Sequence, residues 1–284
     1  MKFGYFNQLQ MPKPWPENGE VLLYKEAMEQ AVHAESMGFD YYWQTEHHFY
    51  PEIGHSSAPE LFLAALAQNT STIRLGLGVV VLPCNHPYRV VEYVSTLDLL
   101  SDGRVEFGTG RGASPYHIEA FGITSDQSKE LWDESLGVIC SMFMNDPFPG
   151  WQGKWYPDLP QRHLVPKPVQ KPIPVWIGGD TPMAFRRVAR YGQGFQAAFQ
   201  PLSRIREEID EIRQCCENIG RDPEELTFSV RMYLDPMGIM EKEKSLTGTP
   251  EQMQVAVTQM ASIGVSHILL DPVAPGGIRG RLEA

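Results

Sequence analysis

Residues 43–51 read WQTEHHFYP, and Glu46, His47 and His48 bring a carboxylate and two imidazoles to the point where an apolar run gives out. The run before them, Phe39-Asp40-Tyr41-Tyr42-Trp43, is aromatic and strand-like, with Gly38 ending a helix behind it. Three ionisable groups at a strand end are costly to bury without partners, so they form either a solvated turn or the start of a site. An imidazole there could move protons near neutral pH. A shared metal ion suits the trio poorly. Neighbouring strand residues point to opposite faces, and no HxH, HExxH or cysteine cluster completes a ligand set.

Two glycine-rich segments could hold a phosphate. Gly108-Thr109-Gly110-Arg111-Gly112-Ala113 formally satisfies the dinucleotide pattern GxGxxG/A, but it follows the fourth strand candidate, and Pro115 stands where the helix should run. Its backbone N–H groups and one arginine still suit a phosphate; a glycine turn with a surface arginine is the alternative. Gly179-Asp180-Thr181-Pro182 opens a helix, so it is either a second phosphate cradle or a plain cap. Asp180 disfavours an anion unless it faces away or caps the helix.

These segments need a frame that gathers strand ends. Strand candidates are Lys2–Phe6, Phe39–Trp43, Ile73–Leu82, Val105–Gly108, Ile173–Gly178, Gly194–Phe199, Leu226–Leu234 and His267–Asp271, alternating with amphipathic helical stretches. Helix starts are marked at Thr181-Pro182 and by the capping box Thr249-Pro250-Glu251-Gln252. Eight strands alternating with helices predict an α/β fold of the (β/α)8 TIM-barrel type. A doubly wound sheet gives a similar string, and the strand count favours the barrel. No composition break marks a linker, so residues 1–284 read as one barrel domain. The stretch at about 145–171, rich in proline, aromatics and glycine, reads as a functional loop inserted over one barrel mouth. After Asp271 too little chain remains for a normal closing helix, so the C-terminal end is expected to be incomplete or truncated.

The chain has 284 residues, is 42% hydrophobic and 21% charged, and carries a net charge of −11. Such a charge leaves no electrostatic footprint for nucleic acid or an anionic membrane. No apolar run approaches the roughly 20 residues of a spanning helix, and the N-terminus, MKFGYFNQLQ, lacks a signal-peptide core. The four cysteines show no metal or redox spacing, so the expectation is a cytoplasmic protein with free thiols.

EHHF at 46–49, LGLGVVVLPCNHPYRVVEYVSTLDLLSDGRVEFGTGRG at 75–112 and VPKPVQKPIPVWIGG at 165–179 together resemble the bacterial luciferase-like family of flavin-dependent monooxygenases. The resemblance runs over nearly the whole chain up to Asp271. It implies a barrel that takes reduced FMN at its C-terminal mouth, supplied by a separate flavin reductase. It also implies oxidation of a small organic substrate by O2 through a flavin 4a-hydroperoxide. His47 matches the family's catalytic imidazole and is expected to titrate near neutrality, oriented by Glu46 or His48 if the strand end is bulged. Arg111 matches a phosphate-contacting arginine. Asp180 and Thr181, beside Gly179, fall where family members carry an acid and a hydroxyl near the phosphate. A non-proline cis peptide beneath the flavin is expected at Gly78–Val79.

The family's luciferases carry a reactive cysteine where this chain has Gly110, which argues against light emission. A homodimer is expected. The loops at 7–19, 113–124 and 145–171 would set the substrate. Phe148, Trp151, Trp155 and Tyr156 suggest an apolar one, although core packing explains these aromatics equally well. Alternatives on the same fold are a deazaflavin-dependent oxidoreductase and a non-catalytic flavin-binding or partner subunit.

Overall fold

Proline and threonine write the helix starts of this chain. The computed structural model, which describes residues 1–11, 13–112 and 114–272, turns them into N-termini. The helices are α1 Gly19–Ser36, α2 Pro59–Ala67, α3 Pro87–Leu100, α4 Pro115–Glu119, α5 Ser125–Met144, α6 Pro182–Tyr191, α7 Leu202–Asn218 and α8 Pro250–Ser262. A proline in the first turn sacrifices no hydrogen bond, because those N–H groups have no partner within the helix. Thr124 and Thr249 complete capping boxes with Gln127 and Gln252.

The strands are β1 Lys2–Asn7, β2 Tyr41–Gln44, β3 Arg74–Val81, β4 Val105–Gly110, β5 Val175–Gly178, β6 Gly194–Ala198, β7 Thr227–Leu234, β8 Ser245–Leu246 and β9 His267–Pro272. All pair in parallel. β1 through β7 follow one another, and β9 closes the circle between β7 and β1. The result is a closed eight-stranded parallel barrel, with two-residue β8 appended to the end of β7. Side chains alternate along β2. Tyr42 packs outward into the helix-facing core, whereas Tyr41 and Trp43 join Phe6, Trp176 and Leu269 inside the barrel.

Two glycines make room for the interior indoles. A Cβ at Gly76 would lie 2.2 Å from the Trp43 ring, and one at Gly194 would lie 2.2 Å from the Trp176 ring. On β3 the register with β4 runs from Leu77↔Phe107 to Val80↔Thr109, so three steps on β3 face two on β4. This is a bulge of one extra residue, and the Gly78–Val79 peptide within it is cis, at the expected position.

Several expectations change. β2 starts at Tyr41 rather than Phe39, because the Asp40 side chain turns back to accept a hydrogen bond from Phe3 N (2.8 Å). Pro115 does not block a helix: Ser114 caps α4 and Pro115 opens it. The segment at about 145–171 packs against α3 and α5, where Phe148 meets Tyr88 edge-on at 6.1 Å and Trp151 packs on Gly137. Backbone N–H groups of Lys154, Trp155 and Tyr156 donate to Glu134. Phe148 is fully buried there and Trp151 and Tyr156 pack against the same core, so packing accounts for these three without a substrate. The expected incompleteness after Asp271 falls mostly on 273–284, outside the described residues.

Candidate active site

The C-terminal ends of the strands enclose a cavity of about 770 Å³, the size range of small-molecule sites. His47, Gly78 and Val79 line its inner part, and Arg111 lines it from the end of β4. Gly179, Asp180 and Thr181 line it from the β5–α6 turn. Segments far apart in sequence thus converge on one space.

Past β2 the alternation is not kept: Thr45, Glu46 and His47 all line the cavity. The His47 backbone N–H donates to Ser56 O (2.7 Å), but among the described residues neither ring nitrogen has a hydrogen-bond partner. Burial pushes this imidazole down to about 3, and the charges of His117, Arg231 and His48 act the same way. The expectation of titration near neutrality is therefore corrected. At neutral pH the ring is uncharged, with one N–H donor and one bare nitrogen acceptor. A second cavity of about 760 Å³, between the segments around Trp15 and Tyr50, shares His47 as a wall.

Glu46 does not orient His47. Its carboxylate accepts from Val81 N (3.0 Å) and Asn85 Nδ2 (3.1 Å), and pairs with His48 Nε2 (2.7 Å). It braces the end of β3 against the end of β2.

At the other end of the cavity, Arg111 Nη1 donates to Ser125 Oγ (3.2 Å), an uncharged partner at the start of α5. The start of α6 lies on the same cavity. The Thr181 side chain accepts from Ala184 N (3.3 Å), so it caps α6 while its hydroxyl proton stays available. Gly178 and Gly179 leave the backbone open there, and Gly179 has φ +128°. Arg111 acts on the nearby Asp126 carboxylate and shares the cavity with Asp180 and the helix start; its guanidinium and the helix N–H groups are the parts suited to an anion.

Four residues were not foreseen. Arg231 reaches the cavity from β7, its Nη2 donating to Asp271 Oδ2 (2.6 Å). Gln196 lines it from β6. Arg187 donates to Asp133 Oδ1 (2.7 Å) and lies 4.4 Å over the Trp132 ring on one wall. His117 of α4 sits 5.3 Å from the His47 ring, fully buried, with both ring nitrogens unpartnered. For Arg231 the available signal was its place near the C-terminal end of a barrel strand. His117 had none, because residues 113–124 carry no helical pattern long enough to read.

A family model described as luciferase-like monooxygenase matches residues 1–234. Among curated relatives, limonene 1,2-monooxygenase of Rhodococcus erythropolis is 39% identical over 112 residues, covering 39% of this chain and 29% of that protein. The matches span 29% to 60% of the lengths of the first three curated relatives. An F420-dependent secondary alcohol dehydrogenase, solved with an F420–acetone adduct, superposes with TM-score 0.83 at 18% identity, over 99% of this chain and 96% of its own. The oxygenating constituent of 3,6-diketocamphane monooxygenase from Pseudomonas putida, solved with FMN, superposes with TM-score 0.80 at 17% identity, over the same shares of the two chains. At those identities the likeness is one of fold.

Proposed function

This chain belongs to the luciferase-like monooxygenase family, and on that premise we propose that it is a monooxygenase that binds reduced FMN and uses O2 to oxidise a small organic substrate. The observation that carries the reading is that Arg111, hydrogen-bonded to the Ser125 hydroxyl, lines one cavity together with the open helix start at Gly179–Thr181. That cavity lies at the mouth of the barrel with His47 on the inner wall. FMN has one phosphate to place there and an aromatic ring for the apolar walls of Phe6, Val79 and Trp132. When bound, reduced FMN supplies the electrons that activate O2 for oxygen transfer.

The chain's own residues do the rest. Arg111, the α6 start and the Thr181 hydroxyl hold the phosphate. Val79 and Phe6 give the ring an apolar shelf and exclude water. His47, uncharged, offers its N–H to an oxygen atom at the reacting centre and can take a proton on its bare nitrogen. Because burial holds its pKa near 3, a proton taken there is released again readily. Reduced FMN would come from a separate flavin reductase, and the working unit would be a homodimer.

A bidentate, charge-assisted phosphate contact is worth roughly 1.5–3 kcal/mol. Arg111→Ala therefore weakens FMN binding about tenfold or more and leaves riboflavin, which lacks the phosphate, nearly unchanged. Fluorescence titration of both flavins checks this. Equal losses for the two ligands would remove the phosphate from Arg111.

A further inference from the structure

We propose that Arg231 and Gln196 form a subsite for a neutral carbonyl oxygen in this cavity. The two residues stand on adjacent strands: Arg231 pairs in register with Ala198, and Gln196 lies two residues before it, on the same face of β6. Both line the cavity. The barrel order places β5 and β6 between β4, which carries Arg111, and β7, which carries Arg231. Gln196 pairs in register with Gly178, just before the α6 start, and Arg231 stands one strand further round.

The Arg231 guanidinium is fixed before any ligand arrives. It lies 3.8 Å over the Phe6 ring and 4.6 Å from the Phe199 ring. Its Nη2 is tied to Asp271, which also accepts from Gln8 Nε2 (2.7 Å). Among the described residues its Nε is buried without an acceptor, and so is Gln196 Nε2 on a residue only 8% exposed. Buried donors in native proteins nearly always have a partner, so two such orphans on residues that line one cavity point to an acceptor supplied by a ligand.

Charge selects the kind of acceptor. Asp271 already neutralises Arg231, so the subsite offers N–H groups without net positive charge, and a carboxylate ligand would meet the Asp271 carboxylate behind them. A ketone, aldehyde or amide carbonyl meets only the donors. Two sources carry such a group: the pyrimidine edge of a flavin ring and a carbonyl-bearing substrate. His47 lines the same cavity as Arg231 and Gln196, so a carbonyl held there shares the cavity with the imidazole. This inference rests on the flavin reading only for the first source.

The test uses Gln196→Met, which removes the amide at similar volume, and Arg231→Lys, which keeps a cation opposite Asp271 but loses the Nε donor. Should the lysine variant unfold, the methionine variant still decides. Dissociation constants are measured for FMN and riboflavin. They are also measured for cyclohexanone and its hydrocarbon analogue methylenecyclohexane, on flavin-loaded and flavin-free protein. If the flavin ring is the occupant, both variants weaken FMN and riboflavin alike by about fivefold to tenfold, unlike Arg111→Ala. If a substrate is the occupant, flavin binding holds while cyclohexanone weakens and methylenecyclohexane does not. Unchanged constants for both flavins and for cyclohexanone overturn the subsite. A wild type that takes no flavin overturns the functional reading instead, and the cyclohexanone comparison on flavin-free protein then decides the subsite alone.

Discussion

At His47 the structure separates two properties that the tripeptide Glu46-His47-His48 runs together. The imidazole faces the cavity with both nitrogens unpartnered, while Glu46 and His48 are bonded to each other. An uncharged ring hydrogen-bonds and shuttles protons but carries no standing charge, because burial holds its pKa near 3. His47→Ala should therefore leave FMN affinity close to wild type. With any substrate the wild type turns over, it should lower product formation by about 10²-fold and release more hydrogen peroxide per flavin oxidised. His47→Gln, which keeps one donor and one acceptor, should recover part of the loss. Product and peroxide measured together check this, and an unchanged product yield would take His47 out of the mechanism.

At the scale of elements, the β3 bulge and the end of β4 fit each other through one missing side chain. A Cβ on Gly110 would stand 2.6 Å from Val79 Cγ2, beside the cis Gly78–Val79 peptide. Valine is stiff about χ1 and cannot swing clear, and overpacking of this kind costs typically 1–3 kcal/mol. Gly110→Ala should thus lower the melting temperature and the FMN affinity together, and adding Val79→Ala should restore stability. Melting curves of the single and double variants test the coupling; additive losses would contradict it.

Local signals were legible in the sequence for a physical reason. The capping box at Thr249 and the proline starts of α2, α6 and α8 act within one helical turn. What stayed hidden was long-range. Arg231 meets Asp271 forty residues on, and the 145–171 segment takes its place from contacts with α3 and α5, so its proline and aromatic content alone suggested a loop over the mouth.

For the whole molecule, buried titratable groups make stability depend on pH. Burial pushes His267 down to about 4, helped by Lys2 and the N-terminal amine and opposed by Asp40. An unfolded histidine binds its proton near pH 6.5. The unfolded chain thus holds more protons between about 6.5 and 4, and stability falls as pH drops through that window. Burial raises Glu208 to about 7, which works in the opposite sense: its share of stability is lost as pH rises through about 7. The wild-type slope sums these with the other shifted groups, His47 and His117 among them, so a variant isolates one. His267→Gln should lose less stability than wild type between pH 7 and pH 5, read as urea midpoints, and parallel losses would contradict the assignment.

The most direct test of the account is an anaerobic titration of the protein with reduced FMN, with oxidised FMN and reduced F420 as comparisons. The account predicts saturable, equimolar binding of reduced FMN, tighter than the oxidised form, followed by O2 consumption when air is admitted. Saturable binding of reduced F420 with none of reduced FMN would contradict it.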